Sequence, residues 1–175
     1  MHNFVVPHDP AWSSRFADEA AAIRSVLGRS VAAIHHIGST SIDGILAKPI
    51  IDILLETPSL AELDREASGL AALGYEGLGA FGIRGRRYFR KDNGEGVRTH
   101  QIHAFRNGTS HIVRHLAFRD FLRAHPEKAR AYSDLKATLV ERPGMTRELY
   151  MDGKDPFIKR TEAEAVAWYK GQGCI

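Results

Sequence analysis

Two apolar runs separated by a bend of small residues constrain this chain more than any other feature. Residues 31–37 run into Gly38-Ser39-Thr40, and a second run, Ile50 to Leu55, follows with one acid, Asp52, inside it. A small-residue turn beside a strand presents free backbone N–H groups and a hydroxyl, which suit a phosphate. An acid inside an apolar strand is costly without a partner, and the usual partners are a metal ion or a cation. Together the two features predict a site for a metal-bound phosphate compound.

The rest of the pattern surrounds these strands with helices. Asp9-Pro10 caps a helix that carries Trp12, Phe16, Ile23 and Leu27 on one face and ends at Gly28. Ser59 opens a second helix with Leu60, Leu63, Ala67 and Leu70 on its apolar face. One or two strands fall within 75–91, the run Asp92-Asn93-Gly94-Glu95-Gly96 predicts a hairpin turn, and 98–106 is the return strand. Beyond Gly108 the period is helical: Ile112 to Ala124, then Pro126 through Leu139, then a last helix from near Asp155-Pro156 to about Lys170, after a break at Pro143-Gly144. The expected fold is α/β (α+β), a small mixed sheet with helices on one face and a helical C-terminal half completing the core.

The 175 residues suit a single domain, 1–175, large enough to be stable without disulfides. The one cysteine, Cys174, fits a reducing cytoplasm and could be a reactive thiol. No charged-then-apolar leader and no long apolar run is evident, so a cytoplasmic location without membrane contact is expected. The net charge of +3 is too small to predict nucleic-acid binding. The cations are concentrated, however: Arg84, Arg86, Arg87, Arg90, Lys91, Arg98 and Arg106 lie within 23 residues against Asp92 and Glu95. They read as a solvated strand edge or as a cluster, Arg86 and Arg87 above all, that meets an anionic substrate.

Strand alternation puts Asp52, Leu54 and Glu56 on one face and Ile51, Ile53 and Leu55 on the other. Asp52 and Glu56 are then about 13 Å apart, too far to hold one ion together. Leu54 stands where a second metal carboxylate would be expected. On strand 98–106, His103 shares a polar face with Thr99 and Gln101. It could complete a metal site with Asp52, accept a proton, contact a phosphate, or have no task. His36, just before the bend, and Thr40, within it, are further candidates to contact the bound phosphate compound. Lys48, held extended by Pro49, could pair with Asp52 or bind phosphate. Lys154, beside what reads as a glycine turn at Gly153, is a further phosphate candidate or an exposed loop lysine.

Several segments resemble one family. HIGSTSIDGILAKPIIDI at 36–53, THQIHAF at 99–105, HLAFRDFLRAHPEKARAYSDLK at 115–136 and ELYMDGKDPFI at 148–158 are similar, in order, to the signatures of the GrpB family, itself similar to the nucleotidyltransferase superfamily. The resemblance implies a nucleotidyltransferase-like fold, with Gly38 and Ser39 at the phosphate turn and Asp52 as the first metal carboxylate. The departure at Leu54 counts against two-metal nucleotidyl transfer, and one carboxylate with one histidine would hold Mg²⁺ weakly. Two functions follow. One is a Mg²⁺- or Mn²⁺-dependent enzyme moving a nucleotidyl group from a triphosphate to a small acceptor, with Asp52 and His103 catalytic. The other is a nucleotide-binding or regulatory module without turnover. The expected partner in both is a nucleotide or small phosphorylated molecule. RNA contact through the basic hairpin ranks below both, because that hairpin lacks a stacking platform.

Overall fold

The computed structural model describes residues 5–173, and Cys174 lies outside them. Helix α1 (Ala11–Leu27) begins where Asp9 Oδ1 accepts a hydrogen bond from the Ala11 N–H (2.9 Å), and Gly28 closes it by donating to the Arg24 carbonyl. Strand β1 (Ala33–Ile37) and strand β2 (Ile51–Thr57) follow, antiparallel to one another. Helix α2 (Leu60–Ala72) starts at Ser59, whose Oγ accepts from the Glu62 N–H. A short β3 (Tyr75–Gly77), β4 (Arg86–Asp92) and β5 (Arg98–Arg106) complete the sheet in the order β1-β2-β5-β4-β3. Only the central pair, β2 and β5, is parallel. The tip between β4 and β5 is held by Asn93 Oδ1, which accepts from the Glu95 and Val97 N–H groups.

Period-two alternation divides the sheet as expected. Ile51, Ile53, Leu55, Phe89, Ile102 and Ala104 face α1 and α2, where Trp12, Ile23, Leu27, Leu63 and Leu70 complete the main core. The opposite face carries Asp52 and Leu54. Leu54 is fully buried with Ile37, Phe105 and Ile112. The last of these comes from α3 (Ser110–Ala124), which abuts this second face. Helices α3, α4 (Pro126–Val140) and α5 (Arg147–Gly171) bury their own cluster around Phe121, Leu122, Tyr132 and Ala165. Among the described residues, no helix is long and apolar enough to cross a membrane.

The last helix differs from the sequence expectation. It begins at Arg147, eight residues before Asp155, with the Thr146 side chain accepting from the Leu149 N–H, and it runs through Gly153 and Pro156. Gly153 is therefore not a turn. A Cβ there would sit 2.5 Å from Leu139 Cδ2, so glycine lets α5 approach α4 closely. Proline removes one intrahelical donor, and the packing of α5 against α3 and α4 carries the helix past it. Lys154 is thereby placed on a helix wall rather than in an exposed loop.

Candidate functional site

The bend after β1 sits directly on the acid of β2. Ile37 and Asp52 are register partners, and the next residue, Gly38, turns with φ +72°. A Cβ at Gly38 would lie 2.5 Å from Asp52 Oδ2, so both the backbone conformation and the contact require glycine. The chain then makes a single 3-10 turn over Ser39–Ser41. Its hydroxyls have different tasks. Ser41 Oγ donates to the Gly38 carbonyl (2.7 Å), and Thr40 Oγ1 donates to the Ile50 carbonyl (3.2 Å). Ser39 faces a cavity of about 220 Å³.

That cavity joins the bend to the C-terminal helices. Gly38, Ser39, Lys48 and Asp52 line one side, and Lys136, Arg147 and Lys154 line the other, with Phe118, Tyr132 and Tyr150 between them. Lys136, on α4, is 1% exposed. Its Nζ donates to Ser39 Oγ (3.0 Å) and to the Leu46 carbonyl, and lies 4.1 Å from the Tyr132 ring centre. Lys154 Nζ lies 4.3 Å from the ring centre of Tyr150. Burial, then the charge of Lys154, pulls the Lys136 ammonium down to about 7. Burial, then Lys48, pulls Lys154 down to about 8. Lys48 is lowered by burial and then by Arg147. Burial pushes Tyr132 up to about 12 against a hydrogen bond from Ser39. Four cationic side chains thus share a small, partly desolvated space with one carboxylate, and each disfavours the charge of its neighbours.

Of the residues singled out from the sequence, Gly38, Ser39, Lys48, Asp52 and Lys154 meet in this cavity, and His36, Thr40, Arg86, Arg87 and His103 do not line it. His36 lies on the other face of the sheet. Its register partner is Ile53, its ring stacks on Phe16 (4.8 Å), and its Nε2 lies 2.9 Å from Thr40 Oγ1. Burial holds it neutral, down to about 4. His35 takes the Asp52 face and pairs with Glu56 (2.7 Å). Arg87 also points to the helix side, where both Asp64 carboxylate oxygens accept from it at 2.7 Å. Arg86 donates to the carbonyls of Ala80 and Phe81. His103 stands behind Asp52, with Nε2 3.7 Å from Oδ1 and Nδ1 3.4 Å from Arg86 Nη1. The Arg86 N–H occupies the Nδ1 lone pair, which leaves the Nε2 proton facing the carboxylate.

Lys136 and Arg147 were missed from the sequence. The signal for Lys136 was present: it sits on the apolar stripe of α4, four residues after Tyr132 and three before Leu139. Arg147 was hidden by the misplaced start of α5.

Asp52 and His103 were the candidate metal ligands. Among the described residues, no three His, Cys, Asp or Glu side chains are grouped to hold a metal ion. Leu54 lies in an apolar cluster, and the other polar atoms around Asp52 include ammonium groups. A hard divalent cation needs oxygen ligands, so the residues present do not fit one well.

A strand, a glycine–serine bend and an acid-bearing strand under helices define a nucleotidyltransferase-like fold. Cid1 poly(U) polymerase shares it: a TM-score of 0.54 at 15% identity, over 78% of this chain and 45% of that one. The chain itself belongs to the GrpB family, whose profile, described as "GrpB protein", matches residues 3–164. It is similar to the crystal structure of the conserved protein GrpB from Enterococcus faecalis, with a TM-score of 0.88 and 40% identity over 94% of this chain and 98% of that one. It is 42% identical over 168 residues to the UPF0157 protein YqkA of Bacillus subtilis (strain 168), a match that covers 96% of this chain and 48% of that relative's length.

Proposed function

We propose that this chain binds a small phosphorylated compound, a nucleotide being the best match, with its phosphates in the cavity at the Gly38 bend. The observation that carries this reading is the convergence of Ser39, Lys48, Lys136, Arg147 and Lys154 on one 220 Å³ space. Desolvated cations around a small polar space favour a polyanion, because charge-assisted hydrogen bonds there replace mutual repulsion. A second hollow of about 370 Å³ opens beside it and shares Lys48, Ile50 and Arg147. Pro49 and Val97 give it an apolar side and Arg98 a polar one. The two together reach the size of a small-ligand site, so the phosphates occupy the first and the remainder of the molecule the second.

Binding without nucleotidyl transfer is favoured by one observation. The position of a second carboxylate is filled by Leu54, fully buried among Ile37, Phe105 and Ile112. Cid1, described as a poly(U) polymerase, supplies the precedent for nucleotide binding on this fold, which hosts more than one function.

Thermal unfolding with a panel of nucleotides tests the reading. A ligand at 100 times its dissociation constant adds about 2.7 kcal/mol, which for a chain of this size raises Tm by roughly 5–10 °C. No shift with any nucleotide or sugar phosphate would remove the proposal. Pyrophosphate released from a triphosphate in the presence of candidate acceptors would replace the binding module with an enzyme.

A further inference from the structure

We infer that the cavity neutralises its phosphate ligand with ammonium groups at the place where a nucleotidyltransferase site would use divalent cations. This rests on the phosphate-binding function proposed above. The argument begins with the donor set. Among the described residues, Asp52 is the single carboxylate on the cavity wall, against Lys48, Lys136, Arg147 and Lys154. A dication beside Asp52 would stand among these cations, and at short range and reduced dielectric their repulsion opposes its entry. The Asp52 carboxylate is also crowded on two sides, packed against the bend at Gly38 and with His103 Nε2 3.7 Å from its Oδ1.

The lysines have the opposite disposition. They come from three separate elements, the segment before β2, helix α4 and helix α5, and their ammonium groups meet at the cavity. Lys136 is anchored by Ser39 Oγ and the Leu46 carbonyl, which leaves one of its three N–H donors for a ligand. Lys154 rests over the Tyr150 ring. Burial and mutual repulsion weaken the protonation of Lys136 and Lys154 when no anion offsets them. An entering phosphate brings negative charge that outweighs both effects, so binding draws protons onto the lysines. Asp52 then serves as a counter-charge that keeps the unfilled lysine cluster together, and it does not bridge a metal to the ligand.

Calorimetric titration of the full chain with inorganic pyrophosphate and with a nucleoside triphosphate, in EDTA and in Mg²⁺ or Mn²⁺, decides the matter. The expected result is binding in EDTA that added metal does not strengthen, accompanied by proton uptake at pH 8 in buffers of different ionisation enthalpy. Lys154→Met and Lys136→Met should each weaken that binding about tenfold or more, the effect of losing one charge-assisted hydrogen bond. Lys154→Met guards against a folding defect at the more deeply buried Lys136. Asp52→Asn, which removes a negative charge from the wall, should tighten it. Binding that improves tenfold or more with metal and is lost in Asp52→Asn overturns the inference and leaves phosphate binding standing. Absence of binding in every buffer overturns both.

Discussion

The β4–β5 hairpin and the cavity at the Gly38 bend both concentrate lysine and arginine, but their side chains end in different company. On the hairpin, Arg87 meets Asp64, Arg90 meets Glu76, Lys91 meets Glu19 and Arg98 meets Asp92. Strand alternation sends Arg87 and Lys91 toward α1 and α2, where those acids wait. In the cavity, four cations share one carboxylate. The hairpin cations are largely neutralised within the fold, and those of the cavity are left to be neutralised by something else. The density of charge along a sequence therefore says less about a binding site than the count of acids that the fold brings within reach.

This contrast can be sharpened or broken by experiment. The largest effect is expected for Leu54→Asp, which restores the acid that a metal site would have. The carboxylate would enter the apolar cluster of Ile37, Phe105 and Ile112, at a cost of about 4 kcal/mol or more. Urea unfolding measures it, and a variant of undiminished stability would show that the position can host a metal ligand after all.

Next comes the pH dependence of stability measured without added ligand. Lys136 falls to about 7 in the fold, with Lys154 of α5, Ser39 of the bend and its own helix neighbour Tyr132 facing it. Unfolded, it titrates near 10.4. Between pH 7 and about 10 the unfolded chain holds the proton that the folded chain has lost, so stability rises with pH. One such group gives a slope of up to about 1.4 kcal/mol per pH unit. Lys154, at about 8, adds to it over the upper part of that window. Above about 10 the buried tyrosines Tyr75, Tyr132 and Tyr150, all raised, act the other way. Denaturant midpoints across this range should show the rise, and Lys136→Met should flatten it. An unchanged slope in that variant would detach the lysine from the effect.

The smallest effect is expected on the hairpin. Arg87→Ala removes a partly exposed pair and should lower stability by about 0.5 kcal/mol, with pyrophosphate affinity unaltered. A loss of affinity in this variant would add Arg87 to the ligand contacts and end the distinction drawn above.

Much of the fold was legible because local chemistry and tertiary packing agree. The Asp9 and Ser59 caps, the Asn93 turn, the alternation of 50–56 and the bend at Gly38 each fix backbone geometry over a few residues. So was half of the candidate site, since Asp52 lies on β2 and Gly38 and Ser39 directly follow β1, the strand paired with it. What was not legible depended on partners distant in the chain. Gly153 and Pro156 look like helix breakers unless Leu139 is known to press against the first. Of two adjacent histidines, the one turned toward the cavity side is decided by Phe16, whose ring holds His36 on the other face. The stripe position of Lys136 pointed to burial, but its partners, Ser39 and Leu46, belong to another part of the chain and could not be read from the helix alone.

The close passage of α5 over α4 at Gly153 has a consequence beyond packing. Ser39 and Lys136 are 97 positions apart in the chain, and Lys154 is further still. Any guest held between them works as a removable clasp across the molecule, fastening the terminal helix to the sheet. Occupancy would then be written into how often α5 loosens, and slowed amide exchange along that helix, far from the guest itself, would be the signature of a filled site.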